Sequence, residues 1–327
     1  MLSRVAQSIY WMSRYVERAE NVARFVDVNH HLLLDLPSVG GEQWQPLVLT
    51  TGDRALFMER YGGFTRDNVI RFLAFDAGNP NSILSCLYAA RENARSIRET
   101  ISSEMWEQVN QFYFSVNTMA AQAGSMEAPY QFFSEVKRAS HLFDGIAMTT
   151  LSHGEAWYFY LLGRLLERAD KTSRILDVKY FLLLPSAADV GSSFDDIQWA
   201  AVLRSTSGFE MYRKRHAELS PDRIVDFLLL ERQFPRSVQY CVVNADESLH
   251  AITGTPLGAF QNPAERKLGQ VRAELGYAQI GEIIANGLHE FLDRLQRDLN
   301  LAGDSIALTF FATEGSPQGA GEGSAAA

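Results

Sequence analysis

The sequence predicts an all-α fold of two tandem, pseudo-symmetric helical-bundle repeats packed together. Three observations carry this. Apolar residues recur at helical spacing over most of the chain, runs of strict alternation are few, and residues 9–34 return at residues 159–184 without a gap. In that alignment Tyr10, Arg14, Glu17, Arg18, Ala19, Arg24, Asp27, Val28, Leu32, Leu33 and Leu34 meet identical residues 150 positions later. Unrelated amphipathic helices share a periodicity but not the identities of their polar residues.

In the first helix, Met12, Tyr15, Val16, Ala19, Val22, Ala23 and Val26 form one apolar stripe, and Arg14, Glu17, Arg18, Asn21 and Arg24 gather on the other side. Pro37 is expected to close this helix and Pro185 its counterpart, because proline lacks a donor and clashes with the preceding turn. From Trp44 and Trp199 the offset becomes 155, a gain of five residues in the second connection. Arg60 then meets Arg215, and Asp67 meets Asp222. The run FLAFDAGNPNSILSC at 72–86 meets FLLLERQFPRSVQYC at 227–241, carrying Pro80 with Pro235, Ser82 with Ser237 and Cys86 with Cys241. Ala90, Glu92 and Ile97 meet Ala245, Glu247 and Ile252, and a weak echo joins 130–146 to 289–306. The paired cysteines read as equivalent core positions, since a free cysteine behaves as a small buried hydrophobe. The remaining periodicity places helices near 67–76, 81–121, 130–149, 222–231, 236–252, 263–285 and 287–301. From Thr313 the chain is too poor in apolar residues to offset the entropy of ordering, so the expected organisation is 1–150, 151–312 and a disordered tail over 313–327.

With 327 residues, 46% of them hydrophobic, the chain can bury a large core. A formal charge of −9 argues against broad binding to nucleic acid, which needs a basic face to displace counterions. Two cysteines outside any zinc-type spacing suit a reducing compartment. There is no apolar run of about 18 residues and no signal-like segment at Met1, so the expected location is the cytoplasm, with no membrane association.

The sharpest candidate site is the polar face that recurs. Arg14, Glu17, Arg18 and Arg24 are matched by Arg164, Glu167, Arg168 and Arg174, although a merely solvated face would be free to drift after duplication. Two readings stand side by side. The helices pack about a pseudo-two-fold axis, each glutamate taking a fork of hydrogen bonds from an arginine of the other unit, or the guanidinium groups converge on an anionic ligand, with Asn21 beside them. Glu17 and Glu167 are the only catalytic candidates, and weak ones, as an acid or base. A second cluster, Arg91, Glu92 and Arg95 with Arg98, Asn93, Trp106 and Asn110, reads as salt bridges along one exposed helix or as a further binding surface. Metal motifs are incomplete. Glu247 and His250 have the Glu-x-x-His spacing of di-iron bundles, but Arg95 stands opposite the histidine. Asp195 and Asp196 lack a third aspartate, and Asp222 with Asp226 follows a Ser-Pro helix start. No metal or other cofactor is expected, and no phosphate-binding glycine loop is present in the sequence.

Through SIYWMSRYVERAENVARFVDVNHHLLLD the chain resembles the bacterial alpha-E domain family, helical proteins with a recurring Glu-Arg motif. Glu17-Arg18 and Glu167-Arg168 look like its two main copies, and NPNSI at 79–83 and ARENARSIRETISSEMWEQVN at 90–110 are similar to its other segments. The resemblance implies a setting: partnership with a circularly permuted ATP-grasp protein and a transglutaminase-like protease, in an amide- or peptide-forming system. The expected function is therefore an accessory or substrate-binding partner of such a ligase, its Arg/Glu face holding the ligase or an anionic peptide or acyl group. Two alternatives remain at this point, a stand-alone helical transferase or hydrolase with its site between the repeats, and a purely structural scaffold.

Overall fold

The computed structural model describes residues 1–35, 44–122, 130–182 and 193–312. Among them are fifteen α-helices and no strand, as the periodicity predicts. Pro37, Pro185, the longer second connection and the chain from Thr313 lie outside the described residues.

The first half comprises α1 (Ser3–Asp35), α2 (Gln45–Thr51), α3 (Arg54–Tyr61), α4 (Arg66–Ile70, continued by a π-helical turn over Arg71–Phe75), α5 (Ile83–Ser96), α6 (Ser103–Gln122) and α7 (Tyr130–Thr150). The second comprises α8 (Glu155–Leu182), α9 (Ser193–Ser205), α10 (Phe209–Arg215), α11 (Pro221–Leu230), α12 (Val238–Thr253), α13 (Pro263–Tyr277), α14 (Ile280–Asn286) and α15 (Leu288–Ile306, continued by a π-helical turn over Ala307–Phe311). The expected helix over 81–121 is two helices. The Ser102 hydroxyl accepts from the Met105 amide at 3.1 Å and starts α6, so a capping serine interrupts an apolar pattern that runs on through Ile97 and Ile101. The expected helix over 263–285 also divides, at Ala278 and Gln279, where the backbone is extended. The short helices α2, α3 and α10 have too few turns to display a period, and the sequence marked neither them nor the longer α9.

Helices α1 and α8 lie side by side at the centre. Helices α5 and α7 pack on α1, and α12 and α15 pack on α8. Three elements cross over: α2 of the first half packs on α8, and α9 and the π-helical turn over Ala307–Phe311 of the second half pack on α1. One hydrophobic cluster consequently runs through both halves. From Ser8 to Asp27, helix α1 is buried on nearly every side, so its polar face is covered as fully as its apolar stripe.

The kept Pro-x-Ser segments have a local reason. The Ser82 and Ser237 hydroxyls accept from the Ser85 and Tyr240 amides at 3.2 and 3.1 Å and cap α5 and α12. One turn on, the Cys86 and Cys241 thiols point back at the Pro80 and Pro235 carbonyls at 3.8 and 3.5 Å. Both cysteines are fully buried, as expected of core positions. Burial pushes both thiols up to about 12, against the pull of Arg18 on Cys86 and of Arg168 on Cys241.

Candidate functional site

The centre of the molecule is the contact between α1 and α8, and small residues make it close. A Cβ placed on Gly163 would stand 2.3 Å from the Tyr10 carbonyl oxygen and 2.5 Å from the Ser13 hydroxyl. Glycine at 163 lets the backbones approach closely beside the paired arginines and glutamates of the two helices.

One turn along from that crossing, the charges interlock. Glu167 accepts from Arg14 Nε at 2.9 Å and takes a fork from Arg18, Nε at 2.7 Å and Nη2 at 2.9 Å. Reciprocally, Glu17 takes a fork from Arg168, Nε at 2.9 Å and Nη2 at 2.7 Å, and Arg164 Nε lies 3.5 Å from it. Paired forks between planar groups are the strongest of the charge-assisted hydrogen bonds. Both glutamates are buried, Glu17 at 2% and Glu167 at 0% exposure.

Each glutamate is met by a third cation, and the two come from different places. Near Glu167 it is Lys171, one turn along α8 at 3.8 Å, while Arg18 Nη1 donates to Asn81 at 2.6 Å. Near Glu17 it is Arg236, which donates to Glu17 at 3.1 Å, to Asn21 at 2.9 Å and to Glu20 at 2.7 Å. Asn21 also donates to the Glu17 carboxylate at 3.0 Å. Lys171 stands 150 residues after Asn21, and Arg236 stands 155 after Asn81. Around Glu167 the helix supplies the cation and the loop the asparagine, around Glu17 the reverse, and each glutamate has a third cation beside it.

Further acids close the edges. Arg24 pairs with Glu20 and Arg174 with Asp170, Nε at 2.9 Å in both cases. Arg164 reaches Asp144 at 2.6 Å, and Asp144 also accepts from the Tyr160 hydroxyl. Arg14 instead donates to the Tyr10 hydroxyl at 3.0 Å and lies over the Trp11 ring at 4.9 Å. Gly303 occupies the place that corresponds to Asp144: its Cβ would lie 3.6 Å from Arg14 Nη1 and 3.8 Å from the Tyr10 hydroxyl.

Burial by itself would raise the carboxyl of Glu17, but Arg168 and Arg236 hold it well below the usual carboxylate range. Glu167 behaves alike, with Arg18 and Arg14 outweighing burial. Glu20 and Asp170 are lowered against burial by Arg236 with Arg24 and by Lys171 with Arg174. Asp144 goes the other way, because burial outweighs Arg164 there. A carboxylate held ionised by three cations is a poor proton acceptor, which leaves Glu17 and Glu167 suited to positioning arginines.

Of the residues singled out in the sequence, Arg14, Glu17, Arg18, Asn21, Arg24, Arg164, Glu167, Arg168 and Arg174 come together along α1 and α8. Arg91, Glu92 and Arg95 do not join them. Arg91 donates to Asn110 on α6 at 2.7 Å and to Glu92 at 2.9 Å, Arg95 pairs with Glu92, and the Arg91 guanidinium lies over the Tyr113 and Phe114 rings. Sequence reasoning missed Arg236, Lys171, Asp144, Asn81, Glu20 and Asp170. The first two were legible as a paired exchange with Asn81 and Asn21; Asp144 has no acidic counterpart 159 residues on, where Gly303 stands. The tempting metal motifs have other partners. Arg272 pairs with Glu247 at 3.5 Å, the His250 ring bonds the Thr255 carbonyl, and Asp195 and Asp196 lie in the first turn of α9, where carboxylates suit the helix dipole.

Fold and site together define an all-helical protein organised around two mutually paired Glu-Arg helices. The chain belongs to the Alpha-E family, described as a predicted alpha-helical domain with a conserved ER motif, whose model matches residues 1–311. Among curated proteins it is similar to uncharacterized proteins of Mycobacterium bovis and of two strains of Mycobacterium tuberculosis, each 21% identical over 335 residues. The match takes in 95% of this chain but spans only 37% of the length of those relatives. No solved structure matches the chain. No helix among the described residues is long and apolar enough to cross a membrane.

Proposed function

We propose that the chain is a partner module of an ATP-grasp-type amide or peptide ligase, and that its Glu-Arg pairs serve as an internal lock that fixes the shape presented to that partner. The observation that carries this reading is the length of the mycobacterial relatives: there, a region like this chain is joined to a further, longer stretch of the same polypeptide. A unit that works beside another protein is the kind that becomes fused to it. The guanidinium groups of Arg14, Arg18 and Arg168 are already matched to glutamates of the opposite helix, which favours a framework role for the motif. The transglutaminase-like protease would be a second member of the same assembly.

Co-purification with the ATP-grasp protein, followed by ligation assays with and without this chain, tests the proposal. A stable complex whose ligation rate or product depends on this chain supports it. Peptide turnover by the isolated chain, without the partner, would show it to be an enzyme in its own right and overturn the accessory reading.

A further inference from the structure

Between α12 and α13, outside the Glu-Arg pairs, the chain forms a groove of about 1010 Å³ closed at one end by the loop that carries Leu257 and Phe260. That volume is in the range of small-ligand sites, about 300–1,000 Å³. On its floor lies Asp246, only 2% exposed. Its Oδ2 accepts from Arg272 at 2.8 Å, while its Oδ1 is buried without a hydrogen bond. The nearest candidate, His250 Nε2, is 3.6 Å away, too far to bond.

The histidine ring is held from its other side. His250 Nδ1 lies 2.9 Å from the Thr255 carbonyl oxygen, and a carbonyl only accepts, so the Nδ1 proton is committed there, while Nε2 stands 3.6 Å from Asp246 Oδ1, beyond hydrogen-bonding distance. A buried carboxylate oxygen thus stands without a donor on the floor of a cavity, beside a ring nitrogen that also lines it. A donor that enters the groove within reach of that oxygen satisfies it. The local charge favours a cation, because Arg272 is shared between the Asp246 and Glu247 carboxylates. A protonated amine fits both requirements.

The rest of the groove describes what the amine is attached to. Leu257, Phe260 and Tyr277 line it and are large side chains left 54%, 60% and 88% exposed. Arg232 and Arg266 stand at the edge, Arg266 lying over the Phe260 ring at 5.9 Å, and a guanidinium suits a carboxylate. We propose that this groove binds the amino end of a short peptide, its ammonium on Asp246 and His250, its apolar side chain on Phe260 and Tyr277, and its acidic group on Arg232 or Arg266. The geometry stands whether or not the ligase partnership does.

The test is calorimetric titration of the full chain with the tripeptide Phe-Ala-Glu and with its N-acetylated form. The free-amine peptide binds saturably, and acetylation weakens it by about tenfold or more, as loss of a charge-assisted hydrogen bond to a buried carboxylate requires. Asp246→Asn abolishes the preference for the free amine. Arg232→Ala combined with Arg266→Ala, and separately Tyr277→Ala, all at exposed side chains, weaken binding at an unchanged melting temperature. Equal affinity for the two peptides overturns the proposal. So does no binding up to about 10 mM, which leaves a bridging water as the donor.

Discussion

Replacing Gly163 by alanine tests how closely the two central helices must approach. In an exposed helix the change is favourable by about 1 kcal/mol, because alanine is the better helix former. At Gly163 the new methyl group would stand 2.3 Å from the Tyr10 carbonyl oxygen, a backbone atom that cannot swing away. Relief requires α1 and α8 to part by about 1 Å, since ordinary contact begins near 3.4 Å. The forks at Glu17 and Glu167, now 2.7–2.9 Å, would stretch beyond hydrogen-bonding distance. Overpacking of this kind costs about 1–3 kcal/mol and weakened buried ion pairs add to it, so the expected net loss is about 2–3 kcal/mol. For a chain of 327 residues that corresponds to a fall of about 3–4 °C in melting temperature by circular dichroism. Gly145→Ala on α7, with nothing near its Cβ, is the control and holds or raises the melting temperature. A Gly163→Ala protein as stable as the Gly145→Ala protein would refute the close crossing.

Three further outcomes follow from the same contacts. Glu17, Glu20, Glu167 and Asp170 are lowered in the folded chain, so their stabilisation is complete above the ordinary carboxylate values of 4.5 and 3.8 and is lost as pH falls below them. Urea titrations between about pH 6 and pH 3 should show this fall, with Asp144, which is raised, opposing it in part, and Glu167→Gln should flatten the curve. The Cys86 and Cys241 thiols, buried and pushed up to about 12, should react with a thiol reagent only at the rate of unfolding; fast native-state labelling at pH 8 would contradict their burial. Gly303→Asp should supply to Arg14 the carboxylate that Asp144 supplies to Arg164, and raise stability by about 2 kcal/mol against about 1 kcal/mol for Gly303→Ala; no difference between the two would show that Arg14 lacks no acid.

The long helices were legible because each buries a stripe with a 3.6-residue period over several turns. Short ones such as α2 and α10 carry no such signal, and Ser102 divides α5 from α6 through one hydroxyl that hydropathy does not register. For the site, repetition pointed to the arginines and glutamates, but not to their surroundings. On the helical wheel, Arg14, Glu17 and Arg18 form a polar face that in a peripheral helix would meet water. Here α1 is central, and that face meets its equivalent on α8. Which helix lies at the centre depends on contacts between distant segments, and periodicity within one helix does not contain them. Arg236 illustrates the same limit: alignment shows it replacing Asn81, while only the fold shows it reaching Glu17, Asn21 and Glu20.

The Glu-Arg pairs join α1 to α8. A double-mutant cycle on Glu17 and Arg168, with Glu17→Gln, Arg168→Met and the double variant followed by urea denaturation, measures that pairing directly. Each single change strands a buried partner and is expected to cost about 3–5 kcal/mol. The double variant should lose much less than the sum, giving a coupling of about 2–3 kcal/mol. A coupling below about 0.5 kcal/mol, the level of an exposed surface pair, would mean that the motif does not hold the two helices together.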